Sequence, residues 1–143
     1  MTSFVSIRAL GCAAALAAVT ALSAPAQAQT VVWDMQSTYP GSLTQLGTLG
    51  KRISEQIKLV SGGDIEINFQ EPGAIVPALE VFDAVASGAV DAGWSTPGYW
   101  AGKVPSLQLF AAVPFGPSAG EYMAWYYFGG GQELMDEIYA KYG

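Results

Sequence analysis

The chain has 143 residues, with six Lys or Arg against twelve Asp or Glu and a net charge of −6. That balance argues against nucleic acid and against an anionic membrane surface, both of which select basic patches. No histidine is present, which excludes Ser-His-Asp and Cys-His machinery and any His-based zinc site, and an apolar share of 51% is too high for a disordered chain.

Met1 to Arg8 is short and carries one positive charge, and Ala9 to Ala24 is apolar, small and uncharged. Ala24-Pro25-Ala26 and Ala26-Gln27-Ala28 both have the small-x-small form of a secretory cleavage site, so residues 1–28 read as a signal peptide cut after Ala28. The apolar run falls short of the roughly 20 residues that a spanning helix needs. Cys12 follows Ala9-Leu10-Gly11, a poor lipidation signal, and leaves with the leader. Export without any disulfide fits a bacterial periplasm better than a small stapled extracellular module.

Val31 to Gln36 reads as a short, mostly apolar strand, followed by a turn over Ser37 to Ser42 that Pro40-Gly41 punctuates. From Leu43 onward, Leu46, Leu49, Ile53, Ile57 and Val60 recur at three- and four-residue spacing. They predict a helix with that stripe turned inward, stopped by Ser61-Gly62-Gly63. Ile65, Ile67 and Phe69 alternate with Glu66 and Asn68, the clearest strand in the chain. Glu71-Pro72-Gly73 begins a loop, and Pro77 stands in the first turn of the next helix. Leu79, Phe82, Val85 and Ala86 form the expected inward face of that helix, which ends at Gly88. Ala89 to Trp94 reads as a third strand, and the apolar run Leu107 to Phe115 as a candidate fourth. Ser118-Ala119-Gly120-Glu121 is a capping box. It opens an aromatic helix to about Phe128, which Gly129-Gly130-Gly131 breaks. A last helix runs from Gln132 to about Tyr142, with Leu134, Met135 and Ile138 inward.

Strand, helix, strand, helix, strand with short links predicts an α/β fold, a mostly parallel sheet with covering helices. Right-handed crossovers place the strands' carboxyl ends on one side. The loops Ser37 to Ser42, Gln70 to Val76 and Ser95 to Lys103 then share the edge where small ligands bind in open α/β sheets. Ser37, Thr38, Tyr39 and the helix start near Ser42 offer hydroxyls and backbone N–H groups for an anion, or form an ordinary cap. Trp94, Tyr99 and Trp100 around Pro97-Gly98 form an apolar wall with polar tips, or pack under their own loop. The expected ligand-facing residues are Ser37, Tyr39, Thr96, Tyr99 and Trp100. Glu80 with Asp83, and Glu133 with Asp136, share helix faces and read as solvated surface. There is no EF-hand spacing, no G-x-G-x-x-G after a strand, and Gly98 to Val104 is one residue short of a phosphate-binding loop.

Several blocks together resemble the extracytoplasmic solute-binding proteins of TRAP transporters. They are Pro72-Gly73-Ala74-Ile75-Val76-Pro77, Phe82-Asp83-Ala84-Val85-Ala86-Ser87-Gly88, Pro97-Gly98-Tyr99-Trp100-Ala101-Gly102-Lys103, Pro114-Phe115-Gly116, and Ala124-Trp125 before Gly129-Gly130-Gly131. The last block is similar to the branch that captures 2-oxo acids or related monocarboxylates. The resemblance implies a periplasmic-binding-protein-like α/β lobe over residues 29–143, truncated, with the second lobe absent from this chain. It implies a non-enzymatic function: periplasmic capture of a small carboxylate, a 2-oxo or 2-hydroxy acid, by closure of two lobes, and delivery to the membrane permease subunits. It implies no cofactor in this chain, and is compatible with a metal ion at the substrate site and with a homodimer in the full-length form. The family's anchoring arginine and metal-holding residues would lie downstream. The alternatives are the binding lobe of an ABC-type uptake or sensory system, and a secreted carboxylate-dependent hydrolase using Asp83 and Asp91.

Overall fold

The computed structural model describes residues 30–142. The leader expected over residues 1–28, with Cys12, lies outside them. Strand β1 (Val31–Ser37), β2 (Ile65–Gln70) and β3 (Ala92–Trp94) form one sheet in the order β2-β1-β3. Both pairings are parallel, with Met35 opposite Phe69 on one side and Ala92 on the other. Helix α1 (Leu46–Val60) links β1 to β2, and α2 (Val81–Ala86), entered through a 3-10 turn at Ala78–Glu80, links β2 to β3. The expected α/β lobe with a parallel sheet is what the chain forms.

The two helices cover opposite faces. A Cβ at Gly50 of α1 would lie 2.7 Å from Phe69 Cε2 and 2.8 Å from Trp94 Cδ1, whereas one at Gly93 would lie 2.8 Å from Val81 Cγ1 of α2. Gly93 and Trp94 are consecutive, and successive strand residues point to opposite sides. Phe69, Met35 and Ser37 therefore face α1, while Asp34, Gln36 and Gln70 face α2. The core gathers Met35, Tyr39, Val81, Ala84, Val90, Val104, Leu107 and Phe110.

Several sequence expectations change, among them the third strand, which spans only Ala92–Trp94, and Leu134, which is exposed rather than inward. The stripe Leu46, Leu49, Ile53 and Val60 is not the inward face of α1: all four are exposed, and Gly47, Gly50 and Ser54 are buried instead. Small residues let the helix lie close on Phe69 and Trp94, and Ser54 returns its hydroxyl to Gly50 O at 3.1 Å. In α2 the buried face is Val81 and Ala84, with Leu79 63% exposed, because Leu79 belongs to the preceding 3-10 turn and the face is rotated. The fourth strand does not form. Pro105–Phe110 is a 3-10 helix that buries Leu107 and Phe110, three residues apart as its period requires.

Ser87 and Gly88 end α2 as expected, with Gly88 at φ +74° and Ala89 N donating to Ala84 O at 2.8 Å. Helix α3 (Ala119–Phe128) carries both arms of the capping box, Ser118 N donating to Glu121 Oε2 at 2.8 Å and Glu121 N to Ser118 Oγ at 3.4 Å. Helix α4 (Gly131–Tyr139) follows a left-handed Gly130, with Met135 and Ile138 half-buried and Leu134 exposed. No helix among the described residues is long and apolar enough to cross a membrane.

Candidate ligand-binding site

The strand order makes β1 a switch point: the chain leaves it toward β2 on one side, and β3 lies on the other. A crevice outside the carboxyl end of such a strand is where open α/β sheets bind ligands. The loops after β1, β2 and β3 meet there. Thr38 N donates to Trp94 O at 3.0 Å and Thr38 Oγ1 shares a hydrogen with Ser95 Oγ at 2.8 Å. Gly41 N donates to Glu71 Oε2 at 2.7 Å, which joins the first loop to the second.

Ser37 is fully buried at the end of β1. Its hydroxyl donates to Tyr39 O at 2.8 Å and accepts from Tyr39 N at 2.9 Å, so the donor of that hydroxyl is spent inside the turn. Ser37 thereby shapes the loop around Tyr39. Tyr39 is itself buried, with its ring 6.0 Å from that of Tyr99. Burial holds the Tyr39 phenol above its usual range, with Tyr99 adding to the rise; hydrogen bonding from Thr38 and the Thr96 backbone opposes it more weakly. Tyr39 is a neutral hydroxyl at ordinary pH.

The third loop divides its two large aromatics. Thr96 leads into the 3-10 turn Pro97–Trp100, its carbonyl accepting from Tyr99 N at 3.3 Å. Tyr99 turns toward Tyr39 and is half-exposed. Trp100 turns the other way, donating Nε1–H to Leu79 O at 3.0 Å with its ring 5.4 Å from Phe82. Lys103 pairs with Asp83 beside it. Trp100 thus lines a separate cleft of about 150 Å³ with Phe82, Val85, Gly93 and Tyr139. Of the five expected residues, Tyr39, Thr96 and Tyr99 share the rim with Thr38 and Ser95. Ser37 lies beneath it, and Trp100 is anchored to α2.

The turn into α1 spends its own donors. Leu43 N bonds to Pro40 O at 2.9 Å, Gly47 N to Leu43 O at 3.0 Å and Leu46 N to Thr44 O at 3.1 Å. Gln45 adopts φ 69° and ψ −71°, the rare positive γ-turn. Those amides are not free for an anion, so the rim offers hydroxyls rather than a bare helix end.

Two side chains that sequence reasoning did not single out hold the second loop. Glu71 accepts from Gly41 N and pairs with Lys51 at 3.1 Å. The Gly41 hydrogen bond first, and Lys51 with it, pull its carboxyl below the ordinary range. Gln36, also fully buried, bonds three times to the backbone of Ile75 and Val76.

Among the described residues no three His, Cys, Asp or Glu side chains gather as a metal cluster would. Glu71 is engaged as above, and Asp91 Oδ2 accepts from Asp34 N at 2.8 Å at the far end of β3. Asp83, paired with Lys103 on α2, does not converge with Asp91. The arginine among the described residues, Arg52, is exposed on α1.

Residues 36–143 match the family described as bacterial extracellular solute-binding protein, family 7. The chain is 37% identical over 145 residues to a monocarboxylate 2-oxoacid-binding periplasmic protein of Nostoc sp. (strain PCC 7120), covering 93% of this chain and 39% of that protein. Two crystal structures of TRAP periplasmic solute-binding proteins superpose with TM-scores of 0.77, each over 80% of this chain and 35% of the other. One, from Colwellia psychrerythraea, is 35% identical and holds calcium and pyruvate. The other, from Pseudoalteromonas atlantica T6c, is 36% identical and holds sodium and pyruvate. This family is a solute-binding class rather than an enzyme class. The chain belongs to the DctP family, the bacterial extracellular solute-binding proteins of family 7.

Proposed function

We propose that this chain forms one wall of a capture site for a small monocarboxylate, a 2-oxo or 2-hydroxy acid, in a two-lobed periplasmic protein that delivers it to a TRAP permease. The observation that carries the reading is the neutral hydroxyl cluster of Thr38, Ser95, Tyr39 and Tyr99 at the switch point of the sheet. Such a wall donates hydrogen bonds to carboxylate, keto or hydroxyl oxygens without supplying charge. Tyr99, half-exposed, is the donor that reaches the ligand, and Tyr39, Thr96 and Ser95 complete the surface around it. Ser37 fixes Tyr39 from below, and Trp100 ties the loop to α2. Pyruvate in two solved relatives supports the substrate class, and the TRAP identity of both favours that system over an ABC-type one. Residues 1–28 act as the export signal, removed after Ala28. The ligand's charge, and any metal ion such as the calcium or sodium that those relatives hold, would be met by residues outside this rim.

The test is a titration of the complete gene product with pyruvate, 4-methyl-2-oxopentanoate and lactate, followed by tryptophan fluorescence and calorimetry. Trp94 and Trp100 flank the third loop, so capture with closure alters their emission. No heat and no spectral change with any of the three acids would overturn the reading.

A further inference from the structure

Gln36 stands at the carboxyl end of the central strand and is fully buried. A buried amide left without partners is costly, and this one is bonded at both ends to a single loop. Its Oε1 accepts from Ile75 N at 3.0 Å and from Val76 N at 2.9 Å, and its Nε2 donates to Val76 O at 2.6 Å. The loop 71–77 has no strand partner of its own. Its internal hydrogen bond, Ala74 N to Glu71 O at 3.0 Å, closes only the first turn, and Gly73 sits at φ +81°. Its geometry is set by two side chains: Glu71 at the start, gripping Gly41 N, and Gln36 at the end.

Gln36 and Ser37 are consecutive and point to opposite faces of the sheet. Ser37 holds the first loop through Tyr39, and Gln36 holds the second through Ile75 and Val76. The last residues of one strand therefore set two sides of the mouth.

We propose that Gln36 is a positioning residue for ligand capture. It fixes the backbone of 71–77 and, through Glu71 and Gly41, the height of the first loop, without touching the ligand itself. This rests on the capture reading above, and the experiment separates the two.

Gln36→Met keeps the length and volume of the side chain and removes all three hydrogen bonds. In the complete gene product we expect pyruvate affinity to fall about tenfold, as loss of a well-made polar contact does. The control is Val90→Ala, a buried position just before the amino end of β3, at the end of the sheet opposite the rim: it lowers the unfolding temperature and leaves pyruvate affinity within about twofold, since distant sites act independently. Wild-type affinity in Gln36→Met, or equal loss in Val90→Ala, overturns the proposal.

Amide exchange in the wild type supplies a measurement that needs neither ligand nor variant. Ile75 and Val76 should exchange roughly a hundredfold more slowly than Gly73, as hydrogen-bonded amides do; equal rates overturn the proposal. If pyruvate fails to bind the wild type, the capture reading falls, and exchange alone decides whether Gln36 sets the loop.

Discussion

The rings of Tyr39 and Tyr99 lie 6.0 Å apart at an interplanar angle of 50°, one buried and one half-exposed, across the gap between the first and third rim loops. The buried ring supports the exposed one, so the two positions respond differently to change. Tyr99→Phe removes a hydroxyl and little packing. It should weaken pyruvate binding by about 1.5–3 kcal/mol, the range for a hydrogen bond to a charged group. Unfolding should move by less than about 0.5 kcal/mol, as for other exposed positions. Calorimetry beside urea denaturation reads both, and unchanged affinity removes Tyr99 from the wall.

Glu71 makes the acid side of the stability curve diagnostic. Its carboxyl is held below the ordinary glutamate range by Gly41 N and Lys51, so the folded state binds its proton less tightly than the unfolded chain does. The stabilisation is fully present above the ordinary glutamate pKa and fades as pH falls through the depressed folded value. Glu71→Gln should therefore flatten the decline of the urea midpoint as pH falls below about 5, relative to wild type. Parallel curves for the two proteins would show that the Gly41 contact is not formed in solution.

Gly47 should reject a methyl group. A helical Gly→Ala change normally gains about 1 kcal/mol. Here the new Cβ would collide with the carbonyl oxygen of Pro40, a backbone atom in the first rim loop. Gly47→Ala should instead lose about 1–2 kcal/mol net, as overpacked sites do. It should also weaken pyruvate binding, because Pro40 must move. A gain in stability would mean that α1 stands off from the loop.

Gln45 is strained where glycine would not be. With φ at 69° in the turn that enters α1, it occupies a conformation costing on the order of 1–3 kcal/mol for a residue with a Cβ. Gln45→Gly should stabilise the fold by about 1 kcal/mol after the greater freedom of glycine in the unfolded chain is subtracted. Thermal unfolding checks the sign; a loss would show that the Gln45 side chain repays the strain elsewhere.

A mostly apolar run made β1 legible and alternation made β2 so, and the Ser118–Glu121 box announced the start of α3 to the residue. The faces of the helices were less legible. Hydrophobic periodicity scores Leu46, Leu49 and Ile53 but is blind to glycine as a contact surface. Yet Gly47 and Gly50 are where α1 meets the sheet and loop, because closeness rather than apolar area decides that face. The run Leu107 to Phe115 shows the same limit. A short apolar stretch fits a strand or a tight helix, and Pro105 at its entry with Leu107 and Phe110 buried resolves it as a 3-10 turn only in three dimensions. The rim loops were legible through parallel topology. The opposed directions of Tyr99 and Trp100 were not, since they depend on partners 21 and 60 residues away, Leu79 and Tyr39. Gln36 looked like an ordinary polar interruption of a strand until its three backbone partners were seen.

The adjacency of Tyr99 and Trp100, one turned to Tyr39 and the other tied to Leu79, constrains how this segment can diversify. Removing or inserting a single residue ahead of them would rotate the pair and exchange inner for outer. New ligand preferences on this side therefore arise by replacing side chains at constant length, and sequence gaps in relatives should fall elsewhere along the rim.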